Sequence, residues 1–218
     1  MHRRRSAVTV STAAALLLAA PLLTGCGGEA HPGAAAVVDG ERISLTQLQS
    51  RVGATREAQR EMPQGESMIR RTGQLTRTTL DGMIRHRVVE AALEDAGVNV
   101  TRSEVQRQRD VYEQQTGGAE GFEQALLEQQ GIAPSAADDW VWLNVAVQKV
   151  ARAWNIDPAS PQGNQELNKR FSDLSGEMDI VVNPRYGKWD AKRSALTAAD
   201  MPWLNDLTGE KALEQQRA

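Results

Sequence analysis

The sequence predicts a mainly α, multi-helix domain with a small β-sheet that joins an N-terminal hairpin to a C-terminal strand. Three observations carry that prediction. Apolar residues recur at three- and four-residue steps in several separate stretches, the spacing of one face of a helix. Strand-like sequence occurs at the turn Asp39-Gly40 and again at residues 178–182. These two places flank the helical region, so pairing them closes the chain on itself.

Ahead of the domain stands a segment of another kind. Arg3, Arg4 and Arg5 form a positive stretch, Ala13 to Leu23 an apolar one, and the small residues Thr24 and Gly25 follow, which is the pattern of an export signal. The apolar run is shorter than the roughly 20 residues that span a bilayer. Leu23-Thr24-Gly25-Cys26 contains the only cysteine of the chain and resembles the lipobox of bacterial lipoproteins. In that family the cysteine carries diacylglycerol and the signal is cut just before it. The resemblance implies lipidation at Cys26 and a protein exported and anchored to the outer face of the bacterial cell membrane. A single cysteine forms neither an internal disulfide nor a thiolate cluster. The early arginines faintly suggest twin-arginine export, but the flanking residues of that motif are missing, and the general secretory route is the expectation.

Removing residues 1–25 leaves 193 of the 218 residues, enough for one domain with a substantial core. The leader takes three of the 25 basic residues with it, so 22 remain against 28 acidic ones. Such a balance argues against nucleic acid as a partner and gives anionic headgroups nothing to attract, leaving acyl chains as the membrane contact. Five of the nine aromatic residues are tryptophan.

Residues 26–33 are small and polar and read as a flexible tether. The domain is expected over residues 34–190. Ala34 to Val38, then Asp39-Gly40, then Glu41 to Ile43 make a tight hairpin. Ser44-x-x-Gln47 is a capping box and starts a helix with Leu45, Leu48 and Val52 on one face. Met62 to Gly65 ends it. One long helix is expected from about Ser67 to Ala96, with Leu80, Met83, Ile84, Val88 and Ala91 in helical register and Gly97 as its C-terminal stop. Gly73 and Gly82 weaken its continuity. Thr101-x-x-Glu104 opens the next helix, which Gly117-Gly118 ends, and Phe122 and Leu126 mark a short one that stops at Gly131. Ala136, Trp140, Leu143, Val147, Val150 and Trp154 form the strongest apolar seam, with Asp138 and Asp139 in the first turn and Lys149 and Arg152 in the last, which suits the helix dipole. Ile156 to Asn164 reads as a connector, Leu167 to Leu174 as a short helix stopped by Gly176, and Met178 to Val182 as a strand. Residues 191–218 are expected to be a mobile tail that transiently docks Trp203 or Leu204.

In this order the residues resemble a known family. The stretches Ala36-Val37-Val38-Asp39-Gly40-Glu41-Arg42-Ile43-Ser44, Ala96-Gly97-Val98, Ser103-Glu104-Val105, Gly117-Gly118-x-x-Gly121-Phe122-Glu123-Gln124 and Gln129-Gln130-Gly131-Ile132 are similar to the N-terminal domain of SurA-type periplasmic chaperones and the related PrsA-type foldase lipoproteins. The similarity covers roughly residues 34–156. Val181 to Trp189 resembles the returning strand that completes this domain in lipoprotein relatives. The resemblance implies binding of unfolded, newly exported polypeptides. Many relatives insert a parvulin-type prolyl isomerase domain before the returning strand, and here only the connector at residues 156–164 occupies that place. A chaperone without isomerase activity is the expectation, with a PrsA-like isomerase or an adaptor for one envelope partner as the alternatives.

The chemical inventory agrees. Of three histidines, His2 lies in the leader and His31 in the tether, so a histidine-based site would have to use His86, between Arg85 and Arg87 on a helix. One histidine without convergent partners does not make a site. Glu94-Asp95 and Asp138-Asp139 are adjacent pairs that do not face each other on a helix. No phosphate loop, zinc spacing or paired-cysteine motif occurs, so no catalytic residue, metal or cofactor is expected. Function then rests on exposed apolar side chains, and Met62, Met68, Tyr112 and Trp142 are the candidates for client contact, since Met and Trp make large, adaptable contacts.

Overall fold

In the computed structural model, which describes residues 33–198, Asp39 and Gly40 turn the chain with φ of 47° and 80°. Two positive φ values make the tight turn whose twist matches the flanking strands, here β1 (Ala34–Val38) and β2 (Glu41–Ser44). The C-terminal strand β3 (Ile180–Val182) pairs antiparallel with β1 on its other side, giving the order β2-β1-β3. β1 is buried along its whole length, which is why it reads as a continuous small apolar run rather than an alternating one. Asp39 fastens the closure twice: its N–H donates to the Asp179 carbonyl and its carboxylate accepts from the Asp179 N–H at 2.7 Å.

Among the described residues seven α-helices lie between β1–β2 and β3. The Ser44 capping box is formed as expected and starts α1 (Leu45–Glu61). The single long helix expected from Ser67 to Ala96 is instead two, α2 (Gly65–Arg71) and α3 (Leu75–Asp95). Thr72 makes the break: its hydroxyl and carbonyl accept from Arg56 at 2.6 and 2.7 Å, a use that ties the end of α2 to α1. The two helices touch closely where Gly65 sits, since a Cβ there would lie 2.2 Å from the Gln59 carbonyl oxygen.

α3 is the spine of the fold. Leu80 and Ile84 pack with Ala36, Val38, Ile43 and Leu48 under the sheet, while Val89, Ala92 and Leu93 pack with Ala146 and Val150. It ends at Gly97, where the Val98 and Gly97 N–H groups donate back to Leu93 and Glu94, the hydrogen-bond pair of a Schellman stop. α4 (Arg102–Thr116) and α5 (Ala119–Gln130) follow, separated by Gly117 and Gly118. After a short 3-10 turn comes α6 (Ala137–Ala153). Its buried residues are Ala137, Val141, Val145, Ala146, Val150 and Ala151, so the seam expected through Trp140, Leu143, Val147 and Trp154 is displaced around the helix. With apolar side chains on nearly every side, α6 meets several neighbours at once, and spacing alone does not single out its most buried face.

α7 (Pro161–Glu177) begins inside the stretch expected to be a connector. Ser160 caps it by accepting from the Gly163 N–H at 3.0 Å and Pro161 takes the first helical position, where its missing N–H costs nothing. α7 also runs past Gly176, the expected stop. The chain stays folded beyond residue 190, where the tail was expected to begin. β4 (Lys188–Asp190) and β5 (Ala195–Thr197) pair antiparallel around a 3-10 turn, and Leu196 joins the core under the sheet. Too few apolar residues mark this segment for periodicity to detect it. The expected lipobox with Cys26, most of the tether, and the tail beyond Ala198 lie outside the described residues. No helix among those described is long and apolar enough to cross a membrane.

Candidate functional site

An open groove of about 860 Å³ lies between α3, α6, α7 and the turn before β5. Val88 and Val89 of α3, Leu143 and Val147 of α6, and Leu167 and Phe171 of α7 supply its apolar surface. Val88, Val89 and Leu167 are buried, whereas Leu143, Val147 and Phe171 are half-buried. The floor is therefore anchored in the core while its walls face solvent.

Three sets of contacts keep the walls in place. On α7, Phe171 packs on Trp154 with ring centroids 5.6 Å apart, and Arg170 lies 5.3 Å over the same indole. The turn Ala191–Arg193 is pinned to α7 because the Ser172 and Ser175 hydroxyls donate to the Ala191 carbonyl at 2.8 and 3.3 Å. The turn is pinned to α3 through the next strand, since the Leu196 N–H donates to the Asp81 carboxylate at 2.6 Å. Arg85, Lys169, Lys192 and Arg193 stand along the rim.

A second depression, of about 500 Å³, opens between α1 and α3. Apart from Ile43 and Met83 its lining is polar or small, and its basic groups are engaged, Arg51 with Asp139 at 2.6 Å and Arg87 with Glu90 at 2.8 Å. It has no apolar floor comparable with that of the larger groove.

The four expected contact residues are not brought together, and none of them lines the groove. Met68 is 3 % exposed and faces inward from α2, so it does not meet a client; a helix as short as α2 holds its place by burying this side chain. Tyr112 stacks on Phe122 at 5.5 Å and tilts against Trp140 at 5.2 Å, within the cluster that joins α4, α5 and α6. Trp142 stacks on His86 at 4.3 Å and packs on the α3–α6 cluster. Met62 is half-buried at the C-terminus of α1. His86 has Glu90 at 3.6 Å and the Trp142 ring as neighbours. Among the described residues no group of three or more metal-ligating side chains converges.

Sequence reasoning passed over the groove because its wall residues share the helical spacing of core residues. The density of apolar side chains in α6, nearly continuous from Trp140 to Val147, was the available signal: a helix with that many has more apolar surface than one neighbour covers.

The shifted acid–base groups lie elsewhere, on the α4–α6 side. The Lys149 ammonium, 2.5 Å away, and then the backbone and side chain of Thr101 hold the Glu104 carboxyl down to about 2. Arg109 is clamped by Asp138, Glu113 and Glu123 at 2.6 to 2.7 Å, which raises its already high pKa. These are structural ion pairs that tie α4 to α5 and α6.

In comparison with known proteins, the family described as SurA-like N-terminal domain matches residues 2–124. The chain belongs to that family. The SurA-like match takes in the hairpin, α1 to α4 and part of α5, so the α3 wall of the groove lies within it and the walls from α6, α7 and the turn lie beyond it. Membership supports a chaperone-like role outside the cytoplasm. No curated protein and no solved structure matches the chain. The chain passes from α6 to α7 through residues 154–160.

Proposed function

We propose that the protein is a lipid-anchored extracytoplasmic chaperone that holds unfolded or newly exported polypeptides in the α3–α6–α7 groove, without catalysis, tethered to the membrane through Cys26. The observation that carries this reading is the open groove of about 860 Å³ whose floor is apolar and continuous with the core. Unfolded chains expose apolar side chains, and a rigid apolar trough gives them partial burial without specifying a sequence.

The experiment uses the full chain with Cys26→Ser as the soluble form. It should suppress aggregation of an unfolded model protein at near-stoichiometric ratio, and Leu143→Asp, which places a charge on the half-buried groove wall, should remove most of that effect while circular dichroism stays unchanged. No suppression at excess rejects the reading. Crosslinking in cells separates a chaperone from an adaptor: many exported proteins captured favour the first, one dominant adduct the second. A proline-limited peptide assay should show only the uncatalysed rate.

A further inference from the structure

The apolar floor of the groove does not distinguish one unfolded chain from another, but its rim does. Arg85, Lys169, Lys192 and Arg193 line it, and no aspartate or glutamate does, in a chain whose formal net charge is −3. The cations come from α3, from α7 and from the turn before β5, so they flank the floor on different sides. Three have a carboxylate neighbour outside the lining: Asp81 for Arg85, Asp173 for Lys169 and Asp190 for Arg193. The Lys169 and Arg193 side chains are 73 % and 76 % exposed in these pairs, and pairs that open to water contribute little and exchange readily. Asp81 is already committed to the Leu196 N–H and Asp190 to the Arg193 N–H. Lys192 has no ion pair among the described residues.

We infer that the groove selects polypeptide segments in which apolar side chains are flanked by carboxylates. The inference rests on the reading of the groove as a polypeptide site. The apolar side chains meet Val88, Leu143, Val147 and Phe171, and the carboxylates meet the rim. Charges beside a poorly hydrated surface interact more strongly than the same charges in bulk water. Complementarity of this kind sets partner choice and association rate more than total affinity. A lysine-rich segment of equal apolar content meets four like charges instead.

Three labelled, unstructured peptides with identical apolar residues and either aspartate, serine or lysine between them test this by fluorescence anisotropy with the full Cys26→Ser chain. The aspartate peptide should bind about tenfold more tightly than the lysine peptide at low salt, and the gap should close in molar salt. Lys192→Glu with Arg193→Glu, both exposed positions, leaves two cations against two anions on the rim and should abolish the preference for the aspartate peptide. Equal binding of all three overturns the inference and leaves the polypeptide reading standing; no binding of any rejects that reading itself. If Trp203→Ser with Leu204→Ser in the full chain raises the affinity for all three alike, with no charge order, the groove belongs to residues 200–207 of the chain and the inference fails. It fails equally if sedimentation shows a dimer that Lys192→Glu with Arg193→Glu dissociates, which assigns the groove to a second copy.

Discussion

Replacing Leu196 by alanine tests whether the segment after residue 190 belongs to the fold. Leu196 is 8 % exposed and shares a cluster with Ala36, Ile43, Leu80 and Ile84, although it lies in a strand of three residues in a two-stranded sheet. The substitution removes three carbon atoms, about 2.4 kcal/mol of transfer free energy at roughly 0.8 kcal/mol each. A cavity adds to this where the surroundings cannot relax, which takes buried Leu→Ala changes to about 2–5 kcal/mol. A short edge strand can settle into the space, so the lower half of that range applies, about 2–3 kcal/mol. The Leu196 N–H to Asp81 hydrogen bond is made by the backbone and survives the change. Urea denaturation followed by far-ultraviolet circular dichroism measures the difference, and a thermal scan should show a fall of about 5–10 °C for a domain of this size. A loss below about 0.5 kcal/mol, the scale of ordinary surface substitutions, would refute the placement of β5 against α3. Leu80→Ala, at a fully buried position of the same cluster, should cost about 3–5 kcal/mol and calibrates the comparison.

Other expectations are narrower. Gly187 has φ of 129° and a Cβ there would lie 2.0 Å from the Thr197 carbonyl oxygen, so Gly187→Ala should destabilise by more than about 1 kcal/mol, read in the same urea titration. Glu104 is held at about 2 against an ordinary 4.5; the stability it contributes is fully present above about pH 4.5 and is lost as the pH falls toward 2. Glu104→Gln should therefore be less stable than the parent at neutral pH by an amount that shrinks between pH 4.5 and 2, followed by denaturation at stepped pH. Arg109→Met leaves Glu113, Glu123 and Asp138 without their shared cation, and should lower the melting temperature at pH 7 in a thermal scan, because the partners of a partly buried ion pair lose their compensating charge. Cys26→Ser should move the protein from the membrane fraction to the soluble one with an unchanged melting temperature, and loss of folding would mean that the residue serves the domain itself.

Local chemistry accounts for what was legible in advance. The hairpin at Asp39-Gly40, the capping boxes at Ser44 and Thr101, and the stops at Gly97, Gly117 and Gly131 are written in residues whose preferences act within four or five positions. The pairing of the hairpin with the strand near residue 180 was legible for a different reason: few strand-like segments existed, so each had few partners to choose from. The break at Thr72 was not legible, because it depends on Arg56, sixteen residues away, claiming the threonine's hydroxyl and carbonyl. The burial of Met68 was not legible for the same kind of reason, since whether an apolar side chain faces water is settled by which helix packs against it.

The sequence by itself determined the class of the fold, the position of most helix ends and the topology that returns the chain to its first strand, since all of these follow from turn chemistry, capping and apolar period. Only the tertiary structure decided where the binding surface lies. Leu143, Val147, Leu167 and Phe171 have the same side chains and spacing as core residues, and what leaves them lining a groove is the separation of α3, α6 and α7, a distance fixed by contacts among residues far apart in the chain. The cationic rim is likewise assembled from residues 85, 169, 192 and 193, which no local pattern in the chain brings together.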